Sequence, residues 1–204
     1  MEYTKLGKSG IDVSRICLGC MGFGEVKNNS HTWTLNETSS REIINRALKL
    51  GVNFFDTAIG YGGGSSEQFL GRAIKELTTR DQVVIATKFL PRNKEEIENG
   101  ITGQQHVSNF LDRSLSNLGM DYVDLYICHM WDYHTPIEEI MEGLNTAVKS
   151  GKARAIGISN CYAWQLAKAN YIAKENEWSK FVSIIQYYQT YSSMQSSPPI
   201  TLVH

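Results

Sequence analysis

Short apolar runs rich in β-branched residues recur along this chain, and each is followed by a longer stretch whose apolar positions repeat with helical spacing. The runs cover 15–18, 53–56, 83–88, 122–128, 154–158 and 181–186, and the helical stretches cover 39–50, 66–77, 104–118, 137–150 and 163–173. Gly51, Gly119 and Gly151 stand where helix C-termini favour glycine. Ser39 followed by Glu42 has the spacing of a capping box. Strand then helix, repeated, predicts a parallel sheet wrapped by helices. Ahead of the first unit, 3–6 and 12–15 flank Lys8-Ser9-Gly10 and predict a small hairpin. Neither a linker nor a break in composition divides the pattern, which predicts one domain over 1–186.

Two parallel architectures fit such a pattern, an open doubly wound sheet and a closed barrel. The open sheet usually carries G-x-G-x-x-G after its first strand. Here that strand leads into Gly19-Cys20-Met21-Gly22-Phe23-Gly24, whose spacing is different. Gly60, Gly62, Gly63 and Gly64 lack the Gly-Lys-Ser/Thr of a phosphate-binding loop. The barrel is therefore favoured. A (β/α)8 TIM barrel needs eight strands and about 250 residues. Six strands are counted here, so the expectation is an incomplete barrel of about six βα units with an N-terminal β-hairpin.

Composition narrows the function classes. With 42% hydrophobic residues in 204, the chain can bury a sizeable core, and a net charge of −1 excludes a strongly basic nucleic-acid surface. No window approaches 18 apolar residues, and no apolar segment follows Met1, so neither a membrane span nor a signal peptide is expected. A cytoplasmic protein with no nucleic-acid or membrane partner follows. Cys17 and Cys20 form a C-x2-C, but Cys128 and Cys161 stand alone, so no metal site is expected and Cys17 reads as core.

The chemistry lies at the strand ends. In a parallel barrel, catalytic groups gather at the C-terminal ends of the strands. Here successive runs end in Asp56, Lys88, His129, Ser159-Asn160 and Gln186. One apolar run ending in a polar residue is an ordinary strand exit. Neighbouring runs ending in Asp, Lys, His and Ser-Asn converge on one mouth. Tyr61 lies five residues past Asp56, between Gly60 and Gly62, where the backbone can bring it near a ligand. The same spacing relates Asp121 to Tyr126, but Tyr126 lies inside an apolar run and reads as core. A phenol is a weak proton donor at neutral pH, and an adjacent ammonium makes its proton easier to release. Asp56, Lys88 and Tyr61 thus read as a tuned general acid, with His129 donating a hydrogen bond to the same substrate oxygen. No Ser, Cys or carboxylate pair is better placed as a nucleophile. An acid without a nucleophile suits hydride delivery from a cofactor to a carbonyl.

These residues resemble the aldo-keto reductase family over roughly 1–186. The most specific stretch is GVNFFDTAIGYGGGSSEQFLGRAI; DYVDLYICHMWD, KARAIGISN and the opening YTKLGKSGIDVSRICLGCMGFG are also similar to the family's segments. The resemblance implies a (β/α)8 barrel, NADPH as cofactor and reversible reduction of a small-molecule aldehyde or ketone. It implies catalytic roles for Asp56, Tyr61, Lys88 and His129. It places Gly19, Cys20, Met21 and Asp56 along the cofactor cleft, with Ser159, Asn160 and Gln186 at the nicotinamide carboxamide. His31, His106 and His134 match nothing in the motif and read as surface or loop residues. Trp33, Trp131 and Tyr133 lie in mouth loops, where they wall the substrate pocket or simply pack.

Past Gln186 the chain departs from the family's pattern. Residues 187–204 are Ser-rich, include Pro198-Pro199 and lack helical period, so they read as an irregular tail of a C-terminally truncated member. Two functional readings follow, an NADPH-dependent reductase and a non-catalytic cofactor-binding or regulatory barrel fragment. Six strands also leave open sheet edges, which predict self-association.

Overall fold

The computed structural model describes residues 1–25 and 33–186. His31 and the tail 187–204 lie outside the described residues. Two short antiparallel strands open the chain, β1 (Tyr3–Lys5) and β2 (Asp12–Ser14). Six parallel strands follow in sequential order: β3 (Cys17–Gly19), β4 (Phe54–Asp56), β5 (Val84–Phe89), β6 (Val123–Cys128), β7 (Ala153–Ser159) and β8 (Phe181–Ile185). The six form a curled sheet, part of a barrel, as the strand–helix alternation predicts.

Helices α1 (Glu37–Lys49), α2 (Ser65–Leu77), α4 (Gly103–Leu118), α5 (Ile137–Lys149) and α6 (Ala163–Glu175) make the crossovers, with a short α3 (Lys94–Glu98) ahead of α4. The helices pack on the outer face of the sheet, where Ile44, Leu70, Leu111, Met141 and Leu144 are buried against Ile85, Val123 and Ile156. The inner face carries a smaller cluster of Val84, Ala86, Leu125, Ile127 and Ala155. Ile11 and Val13 from the hairpin complete it, so the hairpin closes the N-terminal end of the sheet.

Polar contacts fix that closure. Asn53 accepts from the Ser14 N–H at 2.7 Å and donates to the Asp12 carbonyl at 3.1 Å. Gly7 is the close-approach point: its φ is +52°, and a Cβ there would stand 2.2 Å from the Val182 carbonyl oxygen of β8. Only glycine fits both conditions. Nearby, the carboxylate of Asp124, with no solvent exposure, accepts from Arg80, Arg154 and the Ile85 N–H.

Three local expectations need correction. Helix α1 starts at Glu37, because Asn36 is its cap and accepts from the Ser39 N–H; the Ser39–Glu42 spacing is not a capping box. Cys17 is exposed, because β3 is an outer strand and the side chain is left uncovered; Cys20 is the buried member of the pair. His106 is fully buried within α4, not a surface residue. His134 is exposed, as expected. Among the described residues no helix is long and apolar enough to cross a membrane.

Candidate active site

The two-residue period of the strands aims the chemistry. Val84 and Ala86 point to the inner face, so Lys88 continues their stripe. Leu125 and Ile127 do the same for His129, Phe54 for Asp56, and Ala155 for Ser159. Each inner stripe begins apolar beneath the hairpin cap and ends polar at the mouth. In register, Gly19 pairs with Asp56 and Lys88 with Ile127, which sets the polar ends side by side.

Lys88 is the hub. Its side chain is 2% exposed. Nζ donates to Asp56 Oδ2 at 2.5 Å, to the Thr57 carbonyl at 2.9 Å and to the Tyr61 hydroxyl oxygen at 3.3 Å. An ammonium has three donors, so the site uses all of them. The Thr57 carbonyl is the partner that strand-end reasoning missed, since backbone acceptors leave no mark in a residue pattern. Tyr61 sits in a 3-10 turn, Tyr61–Gly64, in which Gly62, Gly63 and Gly64 all have positive φ. This tight glycine turn folds the phenol back over β4 and β5 and leads directly into α2. Ser66 of α2 donates to the Cys20 carbonyl at 2.7 Å and lies 3.0 Å from Thr57 Oγ1, joining the turn to the loop after β3.

His129 meets Tyr61 edge to face, with ring centroids 5.8 Å apart. Burial, with the nearby Lys88 charge adding to it, pushes the His129 imidazole down to about 4. His129 is therefore neutral at physiological pH, fit to donate one N–H bond and unfit to act as an acid. Burial raises the Asp56 carboxyl, and Lys88 opposes that rise. Asp56 Oδ1 and His129 Nδ1 are buried without a hydrogen-bond partner among the described residues.

Ser159, Asn160 and Gln186 come together beside this group. Ser159 is buried. Asn160 has φ +49°, a conformation that costs a non-glycine residue about 1 kcal/mol or more. It is held there by bonds from Nδ2 to the His129 carbonyl and to Ser159 Oγ, and from its N–H to the Ile185 carbonyl. Gln186 Nε2 donates to the Cys161 carbonyl at 2.6 Å. Of the remaining sequence-predicted residues, Gly19 and Met21 are exposed at the strand exit, while Cys20 is buried and its N–H donates to the Asp56 carbonyl.

Aromatic residues rim the mouth. Trp131 lies 6.0 Å from Trp164 and packs on the core, and the exposed Tyr133 hydroxyl accepts from Gln165. Trp33 is exposed.

A family model described as the aldo/keto reductase family matches residues 15–203. A versiconal hemiacetal acetate reductase of Aspergillus parasiticus is 37% identical over 92% of this chain and 59% of its own length. An aryl-alcohol dehydrogenase (NADP+) of Phanerodontia chrysosporium is 32% identical over 88% of this chain and 51% of its own. A crystal structure of a thermostable aldo-keto reductase with the inhibitor epalrestat superposes with a TM-score of 0.77 at 28% identity. It covers 92% of this chain and 63% of that one. The chain thus spans between half and two thirds of the length of these relatives.

Proposed function

The chain belongs to the aldo/keto reductase family, and on that premise we propose that its site reduces a carbonyl to an alcohol, with Tyr61 as proton donor and NADPH as hydride source. The observation that carries the reading is the Lys88 ammonium, bonded at once to Asp56 Oδ2 and the Tyr61 hydroxyl. The phenolate left by proton donation forms 3.3 Å from a fixed positive charge, so the charge it develops is met without reorganisation. Asp56 keeps that ammonium placed. His129, neutral, presents an N–H to the carbonyl oxygen and draws electron density from the carbonyl carbon. As the carbonyl carbon gains a hydride, the oxygen takes the Tyr61 proton, and the neutral alcohol results.

The residues fit a nicotinamide. When bound, that group supplies the hydride. Ser159, Asn160 and Gln186 offer hydrogen-bonding groups of the kind a carboxamide needs, and the strained Asn160 backbone is what a site held for a ligand shows. Gly19 pairs with Asp56, and a Cβ added there would meet nothing within 4 Å, so the strand exit is open at that point. The phosphorylated form of the cofactor is proposed by analogy with the NADP+-named relative.

Two observations support an aromatic aldehyde or ketone as substrate: the Trp131–Trp164 pair at the mouth and the aryl-alcohol relative. Asp56, Lys88 and Tyr61, joined by hydrogen bonds with the His129 ring set edge to face against Tyr61, favour the enzyme over the non-catalytic reading. Following NADPH oxidation with a panel of benzaldehydes and aliphatic aldehydes tests the proposal. Turnover faster with the aromatic members supports it. NADPH binding with no turnover of any member returns the non-catalytic reading.

A further inference from the structure

The loop after β5 touches both halves of this site. Leu90 follows Lys88 by two residues, and its side chain packs on Gly60, 3.3 Å from where a Cβ would stand, next to Tyr61. The loop is tied down at two points. Beneath it, the fully buried His106 places Nε2 2.6 Å from the Leu90 carbonyl oxygen and Nδ1 2.8 Å from Glu96 Oε1 of α3. Across it stands Arg92. Its backbone N–H donates to Asp132 Oδ2 at 3.2 Å. Its guanidinium donates from Nε to Thr135 Oγ1 at 2.7 Å, from Nη1 to the Ile101 carbonyl at 2.5 Å, and from Nη2 to the His134 carbonyl at 3.2 Å.

Asp132, His134 and Thr135 belong to the loop that leaves His129. Asp132 is fixed in turn by the Thr135 hydroxyl and by the His134 N–H at 2.8 Å. One planar fork therefore closes acceptors on two segments, Ile101 in the turn between α3 and α4 and His134 and Thr135 on the loop after β6. An ammonium has no fork that reaches all three. The His129 backbone is pinned separately, its N–H to the Phe89 carbonyl and its carbonyl by Asn160. The two loops that Arg92 fastens are those that leave Lys88 and His129, and Leu90 on the first of them packs beside Tyr61.

We propose that Arg92 is a positioning residue, which locks the loop after β5 to the loop after β6 and so fixes Tyr61 and His129 relative to each other. The inference rests on reading Tyr61 and His129 as the acid and the hydrogen-bond donor, and it adds the part that keeps their spacing. Loosened loops admit water to the imidazole and let the two rings separate.

A test that needs no turnover reads the His129 ring directly. The chain has 5 histidines, so ring-labelled protein can be titrated by NMR, with His129 assigned from the spectrum of His129→Gln. The expected midpoint is about 4 in the unaltered chain. In Arg92→Ala it moves up towards 6.5 by about one unit, and in Arg92→Lys by less. In a turnover assay kcat falls about tenfold while NADPH affinity is kept. Asp132→Asn keeps the guanidinium and removes one charged acceptor, so it reports on the clamp if Arg92→Ala does not fold. His129 midpoints unchanged in Arg92→Lys and Asp132→Asn overturn the proposal. A shifted midpoint in a chain that reduces no carbonyl removes the catalytic reading and leaves the clamp. Turnover with an unshifted midpoint does the reverse.

Discussion

Replacing Lys88 by Met separates the two roles of this residue, because Met fills a similar volume without charge. Lys88 is 2% exposed and its partner Asp56 18%. The substitution leaves the Asp56 carboxylate and the Thr57 carbonyl facing an apolar side chain. Breaking a buried pair by removing one partner costs about 3–5 kcal/mol. For a chain of this size each kcal/mol lowers Tm by about 2–4 °C, so the expected loss is about 6–20 °C. Removing the stranded charge as well, in Lys88→Met with Asp56→Leu, recovers most of it, since apolar replacement of a whole buried pair is close to neutral. The pH dependence has a definite sign. Burial already raises the Asp56 carboxyl and Lys88 restrains that rise, so in Lys88→Met it rises further. The folded state then holds the proton more tightly than the unfolded state. The penalty is small below about pH 4 and grows as pH climbs through the folded-state value. Calorimetric melts of the three proteins at several pH values check this. Equal losses in the single and double variants, or a single-variant penalty that grows towards acid, would refute the argument that the uncompensated charge is the cause.

Three further outcomes follow from the same structure. Asp124→Ala takes a fully buried carboxylate from the buried Ile85 N–H and from Arg80 and Arg154, whose partly exposed side chains stay solvated, and is expected to cost about 1–3 kcal/mol in a urea titration; a loss below about 0.5 kcal/mol contradicts the part given to that carboxylate. His129, held down to about 4, binds its proton less well folded than unfolded, so it removes stability as pH falls from about 6.5 through 4. In His129→Gln the slope of stability against pH across that window should be flatter, and an unchanged slope counts against the burial of the ring. Strands β3 and β8 each have one partner among the described residues, so this chain expressed alone is expected to self-associate through its sheet edges; a monodisperse monomer by light scattering contradicts that.

The alternation of apolar runs and helical stretches carries the architecture in the sequence. The run at 122–128 became β6 (Val123–Cys128), and the stretch at 104–118 became α4 (Gly103–Leu118), because both signals are local and long enough to average. Helix α3 was not legible: at 5 residues it has no apolar period, and only the Asn93–Glu96 capping box marks it. Asp56, Lys88 and His129 were legible because a strand's period of two aims its last residue, and Tyr61 because glycines flank it. The Arg92, Asp132 and Thr135 ties and the burial of His106 were not, since they join residues about 10 to 40 positions apart. A spacing read along the chain cannot rank such pairs. Cys17 misled for a related reason: its neighbours are apolar, but exposure depends on whether a strand has one partner or two.

The proton donor is the central claim, and Tyr61→Phe tests it most directly. The variant keeps the ring that meets His129 and removes the hydroxyl that accepts from Lys88. NADPH oxidation in the presence of an aromatic aldehyde, measured beside NADPH affinity by fluorescence titration, should show turnover falling about 10²-fold or more with affinity nearly unchanged. Turnover within about twofold of the unaltered protein would contradict the account and move the proton to another group.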